Sequence, residues 1–271
     1  MNFYEKFQEY IEQHQLQDLC LLEDSGNFDG GNLLTPENIM VADRLLQRYK
    51  NNSLLSRRGV YRVASVLLGG EIGSGKTLMI HYLAYKFDLP ILTIRYAGLL
   101  GGSLSDAMKG ISAVFQAANQ YPCVLCFDHI DQFCEAKGAG KWSKEDIQVS
   151  REISLMLEQE LEQMSSSVFF IATVSSNCLN DAEEVHKPIP LTTAFQEYAN
   201  TKLVKSQEEA DSISKAYFNL FNVSCSDWRI PFTEPVTLGV LLSLCDTRII
   251  GELKNKPGVK RKPRRSKKGV E

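Results

Sequence analysis

Apolar side chains near the amino terminus recur at the spacing of an amphipathic helix. Phe3, Phe7 and Ile11 follow one another at intervals of four and therefore lie on one face of a helix within residues 1–22. Glycine, asparagine and aspartate residues then predict a turn-rich break at 25–32. The amino-terminal segment is thus predicted to be helical up to this break.

A second helix is predicted directly after the break. Thr35 is a favourable cap residue, and Pro36 is favourable as the first helical residue because it has no N–H to leave unpaired. The two helices together provide about 50 residues, too few for an independent recognition domain. We therefore expect them to pack on the chain that follows.

From about residue 60 the pattern changes to short apolar runs that alternate with longer amphipathic segments. The runs predict strands at 64–68, 90–96, 123–127, 168–174 and 201–204; the amphipathic segments predict helices at 76–87, 105–119, 147–163, 208–221 and 237–253. Such alternation indicates an α/β fold with a five-stranded parallel sheet covered by helices on both faces. Ligands of these sheets bind at the carboxyl ends of the strands.

The turn after the first of these strands has the spacing of a phosphate-binding loop, since Gly70 is followed after four residues by Gly75-Lys76-Thr77. Glycines let the backbone fold closely around a phosphate, and the next helix adds the positive end of its dipole. Lys76 can reach the β- and γ-phosphates, and the Thr77 hydroxyl can bind Mg²⁺. The predicted nucleotide-binding residues are Gly70, Glu71, Ile72, Gly73, Ser74, Gly75, Lys76, Thr77 and Leu78. The sequence therefore predicts a protein that binds a nucleoside triphosphate.

Two candidate catalytic residues follow the strand at 123–127. Asp128 ends the strand and is expected beside the loop, where its carboxylate would hold a Mg²⁺ water. His129 stands where an ATPase needs a base to orient the attacking water, normally a glutamate. Two interpretations are open: His129 is a weakened base, or it is a packing residue at a position that has lost hydrolysis. We favour the second.

Small polar residues follow the strand at 168–174. Ser175 and Asn177 are placed to sense a γ-phosphate at the carboxyl edge of the sheet, and a plain turn is the alternative. Both residues are included in the predicted nucleotide site.

The seven cysteines are scattered, mostly in apolar runs, which favours a reducing cytosolic compartment over a disulfide framework. Cys123, Cys126, His129 and Cys134 resemble a zinc-binding set in spacing. Positions i and i+3 of a strand face opposite sides of the sheet, however, so Cys123 and Cys126 cannot share a metal ion. We predict that they are core residues.

The charge of the chain is strongly asymmetric. Residues 254–271 carry +8, which leaves −11 on the rest of a chain with net charge −3. This tail has almost nothing to bury and is predicted to be disordered. It could contact nucleic acid, an acidic partner or a nuclear-import receptor, and a solvated end without a partner is an equal alternative. No apolar run reaches the roughly 18 residues of a membrane span, and the first residues lack a signal-peptide pattern.

With these motifs the chain resembles the AAA+ ATPase family over residues 54–221. The phosphate loop, Asp128 within 127–131, and the strand Ile171-Ala172-Thr173 carry the resemblance. More narrowly, residues 171–176 and 193–197 are similar to the first, degenerate ATPase domain of the peroxisome-biogenesis AAA proteins. The resemblance implies ATP and Mg²⁺ as cofactors. It also implies an amino-terminal helical segment (1–53), an AAA+ domain (54–206), a short helical lid (207–253) and the basic tail (254–271).

The chain departs from the family pattern at several functional positions. His129 replaces the catalytic glutamate, and Ser103 replaces the pore-loop aromatic residue. Gln196 and Glu197 fall about where the family has its arginine fingers, so the resemblance implies that these are absent. Arg248 is the only residue we can suggest as a sensor arginine. These departures imply a weakly hydrolysing subunit that supports a protein-remodelling ring.

The resemblance also implies a setting for that subunit. We expect partner AAA+ subunits in a homo- or hetero-hexamer, a protein client, and a role in receptor recycling during peroxisomal matrix-protein import. The expected location is cytoplasmic and peripheral at the peroxisomal membrane, or nuclear through the tail. The alternative is an active ATPase that remodels clients with arginines supplied by a partner chain. A third hypothesis, a nucleic-acid-dependent ATPase, is supported by the basic tail alone.

Overall fold

A computed structural model describes residues 2–26, 28, 30–57, 64–95, 104–130, 144–175, 195, 197–224, 229 and 232–255. The strands are β1 (Cys20–Glu23), β2 (Ala64–Gly69), β3 (Ile91–Ile94), β4 (Cys123–Phe127), β5 (Val168–Thr173) and β6 (Glu197–Asn200). The helices are α1 (Phe3–Gln13), α2 (Pro36–Arg57), α3 (Lys76–Phe87), α4 (Leu104–Gln120), α5 (Lys144–Glu162), α6 (Gln207–Leu220) and α7 (Leu238–Asn255). A short 3₁₀ turn, Gly31–Leu33, precedes α2.

The strands form one sheet in the order β1-β3-β4-β5-β2-β6. All pairs are parallel except β1 with β3. The predicted α/β fold with a parallel sheet and helices on both faces is thereby confirmed, with six strands in place of five. Strand β2, which leads into the glycine-rich turn, lies between β5 and β6.

The first correction concerns the amino-terminal segment, which is not helical throughout. Helix α1 ends at Gln13, Gln15 takes a left-handed φ of 55°, and Cys20–Glu23 forms strand β1. Cys20 and Leu22 are buried. The strand forms because β3 offers it a partner edge, and the Arg95 N–H also bonds to the Leu19 carbonyl oxygen at 2.8 Å. A partner that far along the chain is invisible in local periodicity.

The second correction concerns the last strand, which is Glu197–Asn200 and not 201–204. Glu197 pairs with Val66 of β2, while Val204 makes only an isolated bridge with Val236. Arg48 of α2 approaches the Glu197 Oε1 at 3.5 Å, whereas the Glu197 Oε2 is buried and has no hydrogen-bond partner among the described residues. The register of β6 is set by pairing with β2, which is distant in the sequence, so the local pattern favoured the wrong four residues.

Two hydrophobic layers cover the sheet. Helices α1, α4 and α5 cover one face, where Leu125 and Phe170 point, and helices α2 and α3 cover the other, where Val124 and Phe169 point. On the first face Phe7 is fully buried and stacks on Tyr121 with ring centroids 4.7 Å apart. The amino-terminal helices thus contribute to the same core as the sheet.

The start of α2 ties the amino-terminal segment to the chain after β6. The Asn38 N–H donates to the Thr35 hydroxyl at 3.2 Å, as expected of a cap residue. The Asn38 side chain is fully buried; it accepts from the Lys202 N–H at 2.7 Å and donates to the Lys202 carbonyl oxygen at 3.2 Å. One amide therefore satisfies both backbone groups of a residue far along the chain.

Replacing Asn38 by alanine is expected to lower the free energy of unfolding by about 2 kcal/mol, because it leaves the Lys202 backbone groups without these partners. Urea unfolding followed by circular dichroism measures the loss. Met40→Ala, on the same helix and 72% exposed, is the control and should change stability by less than about 0.5 kcal/mol. If Asn38→Ala and Met40→Ala were equally stable, the hydrogen bonds of Asn38 to Lys202 would not stabilise the fold.

Candidate nucleotide-binding site

The turn between β2 and α3 has a backbone that glycine is needed to form. Gly70, Gly73 and Gly75 have φ values of 144°, 81° and 95°, all in the region that other residues rarely adopt. At Gly70 a Cβ atom would also lie 2.1 Å from the Thr201 hydroxyl oxygen. The glycine spacing recognised in the sequence is therefore demanded by this geometry.

Lys76 is the first residue of α3 and is 6% exposed. Its Nζ donates to the carbonyl oxygens of Gly70 at 2.6 Å and of Glu71 at 3.0 Å. A full positive charge is thus held against the backbone of the loop at a helix amino terminus, the combination that favours anions. Of the other predicted loop residues, Thr77 and Ile72 are exposed, and Leu78 is partly buried.

Two buried hydroxyl groups, one in the glycine-rich loop and one after β6, hold the loop against the end of the sheet. The Ser74 Oγ lies 2.5 Å from the Thr201 Oγ1, and the Thr201 hydroxyl also donates to the Gly69 carbonyl oxygen at 3.2 Å. The Thr201 N–H bonds to the same carbonyl at 2.9 Å. Sequence reasoning assigned Thr201 to a strand and missed this role, because its partner Ser74 is 127 residues away.

The last helix rests on the loop. The Gly239 N–H donates to the Gly73 carbonyl oxygen at 2.7 Å, and a Cβ atom on Gly239 would approach the Gly73 Cα to 3.1 Å. A larger residue at Gly239 would require α7 or the loop to shift by a few tenths of an ångström. Arg248, the suggested sensor arginine, bonds instead to Glu252 on its own helix at 2.7 Å.

Asp128 follows β4, as the pattern indicated, and its carboxylate is 35% exposed. Its Oδ1 accepts a hydrogen bond from the Thr173 hydroxyl at 2.5 Å. Strand β5, which carries Thr173, separates β4 from β2, and the Val174 N–H bonds to the Leu68 carbonyl oxygen at 3.1 Å. Asp128 and the glycine-rich loop therefore lie at the same edge of the sheet, on either side of β5.

His129 has a left-handed backbone, with φ of 53°. Its N–H donates to the Thr173 Oγ1 at 2.8 Å, and its ring Nδ1 lies 3.1 Å from the Ser175 Oγ. The ring Nε2 is 3.8 Å from the Asp128 Oδ2. The imidazole thus links the ends of β4 and β5. It lies between Asp128 and Ser175, which were predicted separately as site residues.

Several residues of the sequence-based predictions lie outside the described residues. They are Asn177, Cys134, Gln196, Ser103 and the tail from residue 256 onward.

The cysteines of β4 are core residues. Cys123 packs on one face of the sheet and Cys126 on the other, which confirms that they cannot share a metal ion. Burial raises the pKa of the Cys126 thiol far above its usual range, and the negative charge of Asp128 raises it further. Within the described ranges no group of three or more histidine, cysteine, aspartate or glutamate side chains is arranged to hold a metal ion.

The model of the ATPase family associated with various cellular activities (AAA) matches residues 66–200, about half of the chain. The matched region contains the glycine-rich loop, Asp128 and β6. The chain belongs to the AAA ATPase family. Membership of this family implies ATP binding, typically with Mg²⁺.

Individual AAA proteins are similar to parts of the chain. The peroxisomal ATPase PEX6 of Dictyostelium discoideum is 32% identical over 127 residues, 46% of this chain and 10% of that protein. The putative ribosome biogenesis ATPase nvl of the same organism is 27% identical over 161 residues, 59% of this chain and 18% of that protein. The chain therefore spans less than a fifth of the length of these relatives.

A solved structure shares the fold of this AAA protein. A chain of the Escherichia coli MS115-1 HORMA:CdnC:Trip13 complex superposes with a TM-score of 0.57, covering 87% of this chain and 90% of that chain. The sequence identity is 13%, so this likeness concerns the fold alone. No helix in the described part of the chain has both the length and the apolar content needed to cross a bilayer.

Proposed function

We propose that this AAA protein binds ATP·Mg²⁺ at the glycine-rich loop, hydrolyses it slowly, and uses the bound nucleotide to stabilise a ring with partner AAA+ subunits. One contrast carries the proposal. The loop is fully built, with Lys76 held at its backbone, while the residue after Asp128 is a histidine bonded to Ser175. The site therefore retains the groups that bind the nucleotide, but the glutamate that usually activates water is replaced by histidine.

The side chains of the site fit an ATP·Mg²⁺ complex. Lys76 exchanges its bonds to backbone carbonyls for bonds to phosphate oxygens, and the backbone N–H groups of the loop donate to the same phosphate. The Thr77 hydroxyl and the Asp128 carboxylate are oxygen donors, the type that Mg²⁺ prefers, and they would hold the ion directly or through water. When bound, Mg²⁺ neutralises phosphate charge.

Slow hydrolysis follows from the chemistry of His129. A base must accept a proton from water beside the metal, and a neutral imidazole adds no negative charge there. The ring Nδ1 is already within hydrogen-bond distance of Ser175. A nucleotide that binds without rapid turnover acts as a ligand, and it stabilises whichever assembled state binds it best.

The second candidate function is an active ATPase that remodels protein clients. It is favoured by the exposure of the His129 side chain, 37%, which leaves the imidazole accessible to water. In that case His129 is a weak base and a partner chain supplies the arginines that compensate phosphate charge.

The cellular setting is part of the proposal. We propose a subunit of a homo- or hetero-hexameric ring that recycles receptors during peroxisomal matrix-protein import, in the cytoplasm at the peroxisomal membrane. The similarity to the peroxisomal ATPase PEX6 supports the peroxisomal part of this setting. The similarity to the mouse nuclear valosin-containing protein-like protein, 31% over 103 residues, supports the nuclear alternative. The packing of α6 on α7, and of α7 on the loop, supports residues 207–253 as a lid on an ATPase domain at 54–206.

The proposal is tested by measuring ATP affinity and ATP turnover on the same preparation. Tight Mg²⁺-dependent binding with phosphate release no faster than that of Lys76→Ala would support a binding subunit. Turnover well above that of Lys76→Ala would support the second candidate. Absence of ATP binding would contradict both.

Replacing Thr201 by valine is expected to weaken ATP binding about tenfold, with and without Mg²⁺, because Ser74 then loses the hydroxyl that anchors the loop. Isothermal titration calorimetry measures both affinities. Thr247→Val, on the exposed side of α7, is the matched control and should bind like the wild type. An unchanged affinity in Thr201→Val would show that the loop does not need this anchor.

A further inference from the structure

Thr173 is a polar residue in an otherwise apolar strand. It ends β5, whose other residues are Val168, Phe169, Phe170, Ile171 and Ala172, and it has no exposed surface. A buried hydroxyl needs hydrogen-bond partners, and an apolar residue of the same shape would avoid that requirement. Core packing therefore gives no reason for a hydroxyl at this position.

The Thr173 hydroxyl has two partners, and both belong to the end of β4. It donates its single proton to the Asp128 Oδ1 and accepts from the His129 N–H at 2.8 Å. The Thr173 oxygen accepts from a backbone N–H whose position is fixed, so the proton of the hydroxyl has a single orientation. That orientation points to the carboxylate.

We propose that Thr173 is a positioning residue that holds the Asp128 carboxylate in the orientation required to receive Mg²⁺ with ATP. This inference rests on the proposed function of the site. Asp128 is partly exposed, and without a donor its side chain would rotate among several staggered positions. With Oδ1 bonded to Thr173, the carboxylate is held in one of them.

Pre-organisation of this kind affects binding of the metal complex more than binding of the nucleotide. A ligand oxygen that is already oriented loses less conformational freedom when the ion arrives. Removal of a residue that orients a metal ligand typically costs 10- to 100-fold in metal affinity. The phosphate contacts of Lys76 and the loop do not pass through Thr173. Its loss should therefore appear only when Mg²⁺ is present.

The test uses the full 271-residue chain and compares ATP affinity in Mg²⁺ with ATP affinity in EDTA by calorimetry. The ratio of the two dissociation constants is the Mg²⁺ enhancement. Thr173→Val keeps the shape of the side chain and should lower the enhancement about tenfold, with the EDTA affinity within about twofold of wild type. Thr173→Ser restores the hydroxyl and should recover most of the enhancement. Thr201→Val serves as the contrast, since it weakens both affinities.

The outcomes separate this inference from the proposed function. Wild-type enhancement in Thr173→Val, or an equal loss with and without Mg²⁺, would overturn the positioning role while ATP binding stands. A wild-type chain that binds no ATP would overturn both. If the valine variant does not fold, Thr173→Ala is measured in its place. Adding the Thr173 substitution to Asp128→Asn should change nothing further, because the hydroxyl acts through that carboxylate.

Discussion

Replacing Lys76 by alanine is expected to weaken ATP binding about 100-fold. Its ammonium is held at the loop by two backbone carbonyls and would transfer to phosphate oxygens, so the variant loses charge-assisted bonds worth about 2–3 kcal/mol. Binding should fall in both Mg²⁺ and EDTA, because the lysine contacts phosphate and not the metal. Calorimetric titration with ATP measures the change.

The matched control is Lys86→Ala. Lys86 lies in the last turn of the same helix, where its Nζ sits 5.3 Å from the centre of the Tyr82 ring. Removing this charge changes the net charge of the protein equally but leaves the loop intact. Wild-type ATP affinity in Lys76→Ala would mean that nucleotide binds elsewhere, whereas an equal loss in both variants would point to general electrostatics.

The second large effect is expected from His129→Glu, which should raise steady-state ATP turnover about 100-fold. A carboxylate is a proton acceptor that also supplies the negative charge that a neutral imidazole lacks, and a positioned base contributes 10²- to 10⁴-fold. Histidine and glutamate both bear the cost of the left-handed backbone at this position, and histidine adopts it more readily, so the variant should also lose about 0.5 kcal/mol of stability. Phosphate release under saturating ATP measures the turnover.

His129→Gln discriminates between the two interpretations of the wild type. Glutamine keeps a polar side chain near Ser175 but accepts no proton. If the wild type is a binding subunit, the glutamine variant should hydrolyse ATP at the wild-type rate, close to that of Lys76→Ala. If His129 is a weak base, the wild-type rate should exceed both and fall at least tenfold in His129→Gln. No gain in His129→Glu would place the block elsewhere, for example in the arginine fingers that the sequence is predicted to lack.

Features with strong local signals could be predicted from the sequence. Helix α3 and strand β4 have the predicted bounds, because a glycine-lysine turn and an uninterrupted apolar run leave few alternatives. The loop residues and the position of Asp128 at the same sheet edge likewise follow from spacing and strand direction. These are properties of short stretches, which periodicity reads well.

Features that depend on distant partners could not be predicted. Strand β1 exists because β3 is adjacent, and β6 is formed by Glu197–Asn200 because these residues pair with β2. Thr173 and Thr201 look like ordinary strand residues until their partners, Asp128 and Ser74, are placed beside them. His129 was predicted to occupy the base position, but its hydrogen bond with Ser175, which joins the ends of β4 and β5, was not predicted. Each of these contacts is a property of the assembled sheet.

The position of β2 between β5 and β6 has a consequence for biosynthesis. Val66 takes its neighbours Ile171 and Glu197 from segments made more than a hundred residues later. At 5–20 residues per second, the ribosome needs roughly 7 to 26 seconds to reach them. Until β5 has been made, the apolar Ala64–Gly69 has neither of its partner strands, and exposed apolar segments of this kind are prone to aggregation. The nucleotide loop therefore cannot reach the arrangement described above on the nascent chain until Thr201, the partner of Ser74, has been added, and we expect no help from ATP in the earlier steps of folding.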